Sequence, residues 1–353
     1  MYARLGLVLM VNHACNLRCT YCYTGPKFSR PMPLEIGLRS IDRALNSLDP
    51  GGALELGFFG GEPLIEAALI SKLVEYATTE CARRGFTASF QLTTNATLND
   101  EAAWAAMTDP AIDISVSFDG LPEIHDRHRM GVDKSASADH VLSAMQRLKR
   151  AHKPFNAVTI VRPDNVNLLP AGLRFMRDLN IEMVDLSLDL WAPWASRDLK
   201  NLKWTIARSA EVWRDSLPFF GVNWFNEKTI ELTGTPASST ARCSFGDGKI
   251  AVAPSGRLYP CERLIGQDLP GSPNPNPMGL PGHVLEGADF VMFAPTFKCS
   301  SRANCGLSCP CSNLVRTGRT DTPDELLLLL DRTSLRETRR VLRGLTYADT
   351  VLV

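Results

Sequence analysis

Three thiols fall within one short stretch, CNLRCTYC, at Cys15, Cys19 and Cys22. Their spacing, C-x3-C-x2-C, follows an apolar run and would place all three on one loop. Three thiolates so placed can grip three irons of a [4Fe–4S] cube and leave the fourth iron without a protein ligand. An open iron in a buried pocket is what a small molecule needs to chelate through an amine and a carboxylate. A cluster that only carries electrons would need a fourth cysteine close by, and the stretch has none. The competing chemistry is zinc, whose structural sites are closed by four Cys or His ligands. His13 is the nearest further donor, but two residues before Cys15 it would crowd the loop.

The remaining cysteines also carry information by placement. The chain has ten among 353 residues; Cys81 is isolated in YATTECARRGF, and six fall between Cys243 and Cys311. A disulfide framework would spread through a small secreted domain, whereas clustered thiols point to metal or iron–sulfur ligation in a reducing compartment. Cys81 sits on a helical pattern and reads as core packing. Lys+Arg and Asp+Glu both number 38, so nothing global draws the chain to nucleic acid or to an anionic membrane. The 44% apolar and 22% charged residues are those of a soluble globular protein. The N-terminus, MYARLGLVLMVNHAC, lacks a signal-peptide pattern and is too short to span a bilayer, so it reads as the first strand of a cytoplasmic protein.

Residues that do this chemistry must be held by regular elements. Short apolar, β-branched runs recur at 5–12, 54–59, 88–94, 112–118, 155–161 and 184–190. Helix-like segments lie between them at 34–48, 65–84, 99–107, 136–152 and 168–179. Alternation of this kind implies an α/β fold with a parallel sheet and right-handed crossovers. The strands are apolar nearly throughout, as when both faces are covered. An open, partial (β/α)6 barrel fits them better than a doubly wound sheet. After WAPWASRDLKNLKW (191–204) the alternation stops; a helix over 205–219 leads into a turn-rich region that holds the six late cysteines. The Pro/Gly-rich 269–282 stretch cannot be regular structure. A final amphipathic helix, roughly 323–343, carries Arg336, Arg339, Arg340 and Arg343, a solvated basic face more than an anion-binding patch.

With the elements in place, C-x3-C-x-aromatic-C after a first strand resembles the signature of the radical S-adenosylmethionine (SAM) family, with Tyr21 at the aromatic position. The resemblance implies a [4Fe–4S] SAM-binding cluster held by Cys15, Cys19 and Cys22. Gly60-Gly61-Glu62-Pro63 ends strand two and looks like the family's GGEP motif, whose backbone and Glu side chain hold the methionine amino group. Glycine permits close backbone approach, and a carboxylate complements an ammonium. Thr93-Thr94-Asn95 ends strand three and Ser117-Phe118-Asp119-Gly120 ends strand four. Both look like SAM-binding edges, which makes Thr94, Asn95, Ser117 and Asp119 cofactor contacts. Each motif falls at the C-terminal end of a strand, where barrel active sites are built. DGLPEIHDRHR resembles the DGP-x3-HD-x2-R segment of peptide-modifying members, with Leu121 inserted and His125, Asp126 and Arg129 at the matching positions. Either Arg129 contacts cofactor or substrate, or Asp126 and Arg129 pair at i,i+3 on the surface of a helix.

Cys243, Gly256 and Cys261 follow a C-x12-G-x4-C spacing, and Cys299, Cys305, Cys309 and Cys311 come later. This resembles the SPASM auxiliary-cluster domain of peptide maturases and anaerobic sulfatase-maturating enzymes. Thr296 stands where that pattern has a further cysteine. The family's interleaved pairing would give Cys243, Cys261 and Cys309 to one auxiliary [4Fe–4S] cluster and Cys299, Cys305 and Cys311 to a second. Each would have an open or non-cysteine fourth site. Two clusters are expected; the alternatives are one fully ligated cluster with two cysteines left over, or a zinc ribbon. Glu262 follows Cys261 where the sulfatase-maturating enzymes carry an Asp base. By resemblance Glu262 is the catalytic base; read alone it could equally be a surface or ion-paired residue. The chain then divides into a radical SAM partial barrel (1–204), a bridging region (205–240), a SPASM domain (241–320) and a C-terminal helix (321–353).

The resemblance implies a peptide maturase that uses a 5′-deoxyadenosyl radical to install a crosslink or other oxidative modification in a ribosomally made peptide. A sulfatase-maturating, formylglycine-generating enzyme and a peptide epimerase are the alternatives, and a non-enzymatic iron–sulfur or zinc module is a third class. The missing auxiliary ligand and Glu262 in place of Asp argue against sulfatase maturation. The expected partners are a peptide substrate, with or without a leader, and a flavodoxin- or ferredoxin-type reductant. Because Cys15 is so near the N-terminus, leader recognition is expected from a separate protein or from the bridging and auxiliary regions, including 269–282.

Overall fold

A computed structural model of the chain describes residues 1–234, 245–266, 268, 280, 282–291 and 309–345. Cys243, Thr296, Cys299, Cys305 and most of the 269–282 stretch lie outside the described residues. In chain order the elements are β1 (Tyr2–Asn12), α1 (Leu34–Asn46), β2 (Leu48–Gly60), α2 (Ala67–Arg84), β3 (Thr87–Thr94), α3 (Glu101–Thr108), β4 (Ile112–Ser117), α4 (Pro122–His128), α5 (Ala138–Arg150), β5 (Phe155–Val161) and α6 (Leu169–Asp178). They continue with β6 (Met183–Leu188), α7 (Ser196–Arg214), β7 (Gly221–Val222), α8 (Asn223–Thr233), β8 (Lys249–Val252), β9 (Leu258–Tyr259), α9 (Pro310–Thr317) and α10 (Glu325–Arg343).

All six expected strands form, and they pair in parallel in strict chain order, β6-β5-β4-β3-β2-β1. A doubly wound sheet would reverse its strand order at a switch point. Sequential order with crossovers of one hand keeps the helices on one side, which is the winding of an open barrel. β1 shows why its sequence is apolar throughout. Leu5, Leu7, Leu9 and Val11 enter the main core, whereas Val8 and Met10 enter a second cluster with Phe245, Ala251, Tyr259, Cys261, Leu264 and Cys311.

That second cluster exists because the sheet continues past β1. β8 pairs with β1 in parallel, Gly6 opposite Lys249 through Leu9 opposite Val252, and β9 turns back antiparallel. β7 extends the other edge beside β6. Sequence patterning foresaw none of the three, since each is four residues or fewer and a run so short carries no measurable period. The helix expected over 205–219 instead spans Ser196–Arg214, its start fixed by Asp198, whose carboxylate accepts from the Ala195 N–H at 2.9 Å. Residue 204 therefore lies inside α7. α10 packs on α7 and α8; Arg336 and Arg340 pair with Glu337, and Arg339 and Arg343 are exposed, the solvated basic face expected of it. Cys81 is buried in the main core. Among the described residues no helix is long and apolar enough to cross a membrane.

Candidate functional site

A cavity of about 500 Å³ opens at the C-terminal ends of the strands. Cys15, Cys19 and Cys22 line it together with Gly60, Gly61, Glu62, Thr94, Asn95, Ser117 and Arg129. Motifs from four strand ends thus meet in one space. The cysteine loop is tied to β3 by Asn95, whose amide donates to Asn16 Oδ1 at 3.0 Å and faces Cys15 Sγ at 3.8 Å. Burial pushes the Cys15 thiol up to about 11 and raises Cys19 as well. Cys22 is half-buried, and although desolvation opposes it, its thiol lies below the ordinary range because Lys27 Nζ donates to it at 3.0 Å and Thr24 Oγ1 lies 3.3 Å away.

Glu62 is buried and its carboxylate is a hub. It accepts from Thr94 Oγ1 at 2.6 Å, from the Asn95 N–H at 2.7 Å and from the Leu64 N–H at 3.0 Å. Burial raises its carboxyl, and these three donors oppose the rise. The two glycines before it are required by the chain's own backbone. A Cβ on Gly61 would lie 2.1 Å from the Ala14 carbonyl oxygen, and one on Gly60 2.6 Å from that of Asn12. Gly61 N–H donates to the Asn12 carbonyl and Glu62 N–H to that of Ala14, both at 2.9 Å. The GGE turn therefore seats the start of the cysteine loop directly on the end of β2.

Asp119 stands apart from the expected set, behind the cavity wall. Its carboxylate takes the Tyr21 hydroxyl at 2.5 Å, the Arg129 guanidinium at 3.1 and 3.3 Å, and the Ile160 N–H at 3.1 Å. Arg129 is buried and reaches the cavity from this pairing, with burial opposing its charge and Asp119 raising its pKa. The i,i+3 surface pair of Asp126 with Arg129 does not form: Asp126 instead accepts from the Ser137 and Ala138 N–H groups, both at 2.8 Å, at the start of α5. His125 is buried, bonded to Ser137 Oγ at 3.0 Å. His13 stacks on Phe28 and faces Asp268 at 3.9 Å, a surrounding separate from the three thiols.

Several lining residues carried no signal in the sequence. Tyr23 is stacked between Phe59 and Trp191, at 6.0 and 5.0 Å between ring centres, and Trp191 stays half exposed at the rim. Lys27 and Arg263 also line the cavity. Lys27, five residues past Cys22, and Arg263, two past Cys261, were findable only as charges beside thiols.

A second cavity, of about 530 Å³, shares Leu186, Ser187, Leu188, Asn223, Glu262 and Arg263 with the first. Cys261 and Cys309 line it. Cys309 precedes α9, and its thiol falls to about 5 through a hydrogen bond from Cys311, against burial, with help from the Ser312 N–H and Arg263. Glu262 is opposed by burial, but the nearby Lys249 and Arg263 hold its carboxyl below the ordinary range. It is therefore ionised at neutral pH, in the wall common to both cavities. The residues lining the first cavity fit the SAM cluster and the SAM that the sequence suggested. Three thiols in one cavity, none with a cysteine partner, suit a cube with one open iron, and the Glu62 turn beside them presents a carboxylate and backbone.

The Radical SAM superfamily profile matches residues 9–168. An uncharacterized protein of Methanocaldococcus jannaschii is 32% identical over 187 residues, which cover 53% of this chain and 63% of that one. A cysteine-type anaerobic sulfatase-maturating enzyme of Clostridium novyi is 22% identical, covering 73% of each chain. The PqqA peptide cyclase of Granulibacter bethesdensis is 25% identical over 341 residues, 91% of this chain and 86% of that one. Among solved structures, the chain resembles anSMEcpe with bound AdoMet at a TM-score of 0.74 and 18% identity, covering 99% and 98% of the two chains. It resembles Streptococcus suis SuiB bound to its precursor peptide SuiA at 0.61 and 14%, covering 92% and 76%. At these identities the structural likeness is one of fold.

Proposed function

We propose, on the match of residues 9–168 to the Radical SAM superfamily, that this chain is an oxidative peptide maturase that installs a crosslink or a related modification in a ribosomally made peptide. The observation that carries the reading is the position of Glu262. Its ionised carboxylate stands in the wall between the cavity of Cys15, Cys19 and Cys22 and the cavity of Cys261 and Cys309.

When bound, the SAM cluster and SAM supply a 5′-deoxyadenosyl radical able to take a hydrogen atom from an unactivated carbon. Cys15, Cys19 and Cys22 would hold that cluster, and Glu62 with Asn95, Thr94 and Ser117 would orient SAM. Glu262 would accept the proton that the substrate radical loses on oxidation, and an auxiliary cluster held at Cys261 and Cys309 would supply the acceptor for the electron, so that no high-energy cation forms. Tyr23, Phe59 and Trp191 close one side of the cavity with aromatic surface and limit water there. Cys243, Cys261 and Cys309 would ligate one auxiliary cluster and Cys299, Cys305 and Cys311 a second. The chain would work in the cytoplasm with a flavodoxin- or ferredoxin-type reductant, on a peptide whose leader is read by this chain or by a separate protein.

The relatives support a peptide substrate, since the PqqA peptide cyclase aligns along 91% of this chain. The sulfatase-maturating relative aligns along 73% of this chain, and by the resemblance Glu262 stands where that class carries an Asp. Anaerobically reconstituted protein with dithionite and SAM should release 5′-deoxyadenosine, and a true peptide substrate should lose two hydrogens. No 5′-deoxyadenosine defeats the enzyme reading; unchanged peptide mass with deuterium uptake would make the chain an epimerase. Glu262→Gln should keep SAM cleavage within threefold and lower peptide oxidation at least about 100-fold.

A further inference from the structure

Arg263 is a cation that lines both cavities. It follows Glu262 on the short turn after Cys261. Its guanidinium donates to Ser312 Oγ at 3.1 Å, and among the described residues it has no ion pair within 4.0 Å. Ser312 belongs to α9, whose first turn follows Cys309 and contains Cys311. The hydrogen bond thus clasps the Cys261 turn to the Cys309 helix and fixes a permanent positive charge between two candidate ligands. A guanidinium has five donors, so donors other than the one given to Ser312 remain to face the cavities.

Resting on the auxiliary-cluster reading above, we propose that Arg263 is a positioning residue that sets the reduction potential of the centre held at Cys261 and Cys309. A thiolate-ligated iron–sulfur centre gains negative charge on reduction. A fixed cation and N–H donors beside its sulfurs stabilise that added electron and raise the potential. The consequence for turnover is directional: the same turn presents Glu262 to the departing proton and Arg263 to the departing electron, one of each per substrate oxidised. The charge itself does not vary with pH because arginine stays protonated.

The test needs no peptide. Full-length protein with Cys15, Cys19 and Cys22 all changed to Ala, so that only auxiliary iron reports, is reconstituted anaerobically and titrated against potential with EPR detection. Arg263→Gln should shift the reduction equilibrium at least tenfold toward the oxidised form, about 59 mV for one electron, with unchanged iron content. Arg263→Lys, which keeps the charge, should stay within threefold of its parent. Equal midpoints in Arg263→Gln and its parent overturn the proposal. Iron lost from Arg263→Gln overturns it as well, leaving Arg263 a structural clasp. A parent without iron defeats the auxiliary-cluster reading itself, an outcome distinct from both.

Discussion

Tyr21 and Arg129 share one buried carboxylate. The Tyr21 hydroxyl donates to Asp119 at 2.5 Å, the Arg129 guanidinium donates to both oxygens of the same group, and it also lies 5.3 Å from the centre of the Tyr21 ring. The aromatic position of the cysteine motif is thereby locked to the end of β4. Asp119→Asn leaves Arg129 buried without a counter-charge and should cost about 3–5 kcal/mol of stability. Chemical denaturation of Asp119→Asn, Arg129→Met and the double variant checks this: the double variant should lose much less than the sum of the two.

Gly61→Ala tests how the loop is seated. The added methyl meets the Ala14 carbonyl at 2.1 Å, a backbone atom that cannot step aside without moving the residue before Cys15. Iron at the first cluster should fall below about half of the wild-type content while the fold persists, since β-bonded strand ends relax at a cost of a few kcal/mol. Iron and sulfide analysis after reconstitution is the measurement, and full occupancy would contradict the argument.

Glu62→Gln keeps the shape and removes the charge. An amide nitrogen would then face at least one of the donors from Thr94, Asn95 and Leu64, a buried mismatch worth about 1–3 kcal/mol. 5′-Deoxyadenosine release should fall at least about 100-fold because the charged partner for an ammonium is gone. Retained cleavage with normal SAM affinity would remove Glu62 from the cofactor site.

His125 makes stability depend on pH. Burial, aided by Arg129, lowers its pKa from 6.5 to about 4, so the folded chain holds it neutral where the unfolded chain takes up a proton. Stability from this residue is therefore present above pH 6.5 and is lost as pH falls toward 4. Between pH 7 and pH 5 the loss is about 2 kcal/mol. Urea denaturation at both values should show that difference shrinking in His125→Gln; an equal pH response in the two proteins would exclude His125 as its source.

Much of the site was legible because its signals are local. A C-x3-C-x2-C loop, a GGE turn and short polar groups after apolar runs each lie within a few residues, and six parallel strands in chain order bring them to one end. The sequence by itself therefore determined the six central strands and the loop that carries the three thiols. Only the tertiary structure decided what depends on contacts between distant residues. Pairing of Gly6–Leu9 with Lys249–Val252 carries Cys261, Glu262 and Arg263 to the cavity wall, across more than 240 residues that no periodicity links. The same holds for Arg129, read from its motif as a cofactor contact or a partner of Asp126 and found on Asp119, and for Tyr23 between Phe59 and Trp191. The physical reason is that burial and charge pairing are decided by which elements meet in space. Local patterning sets only the elements themselves.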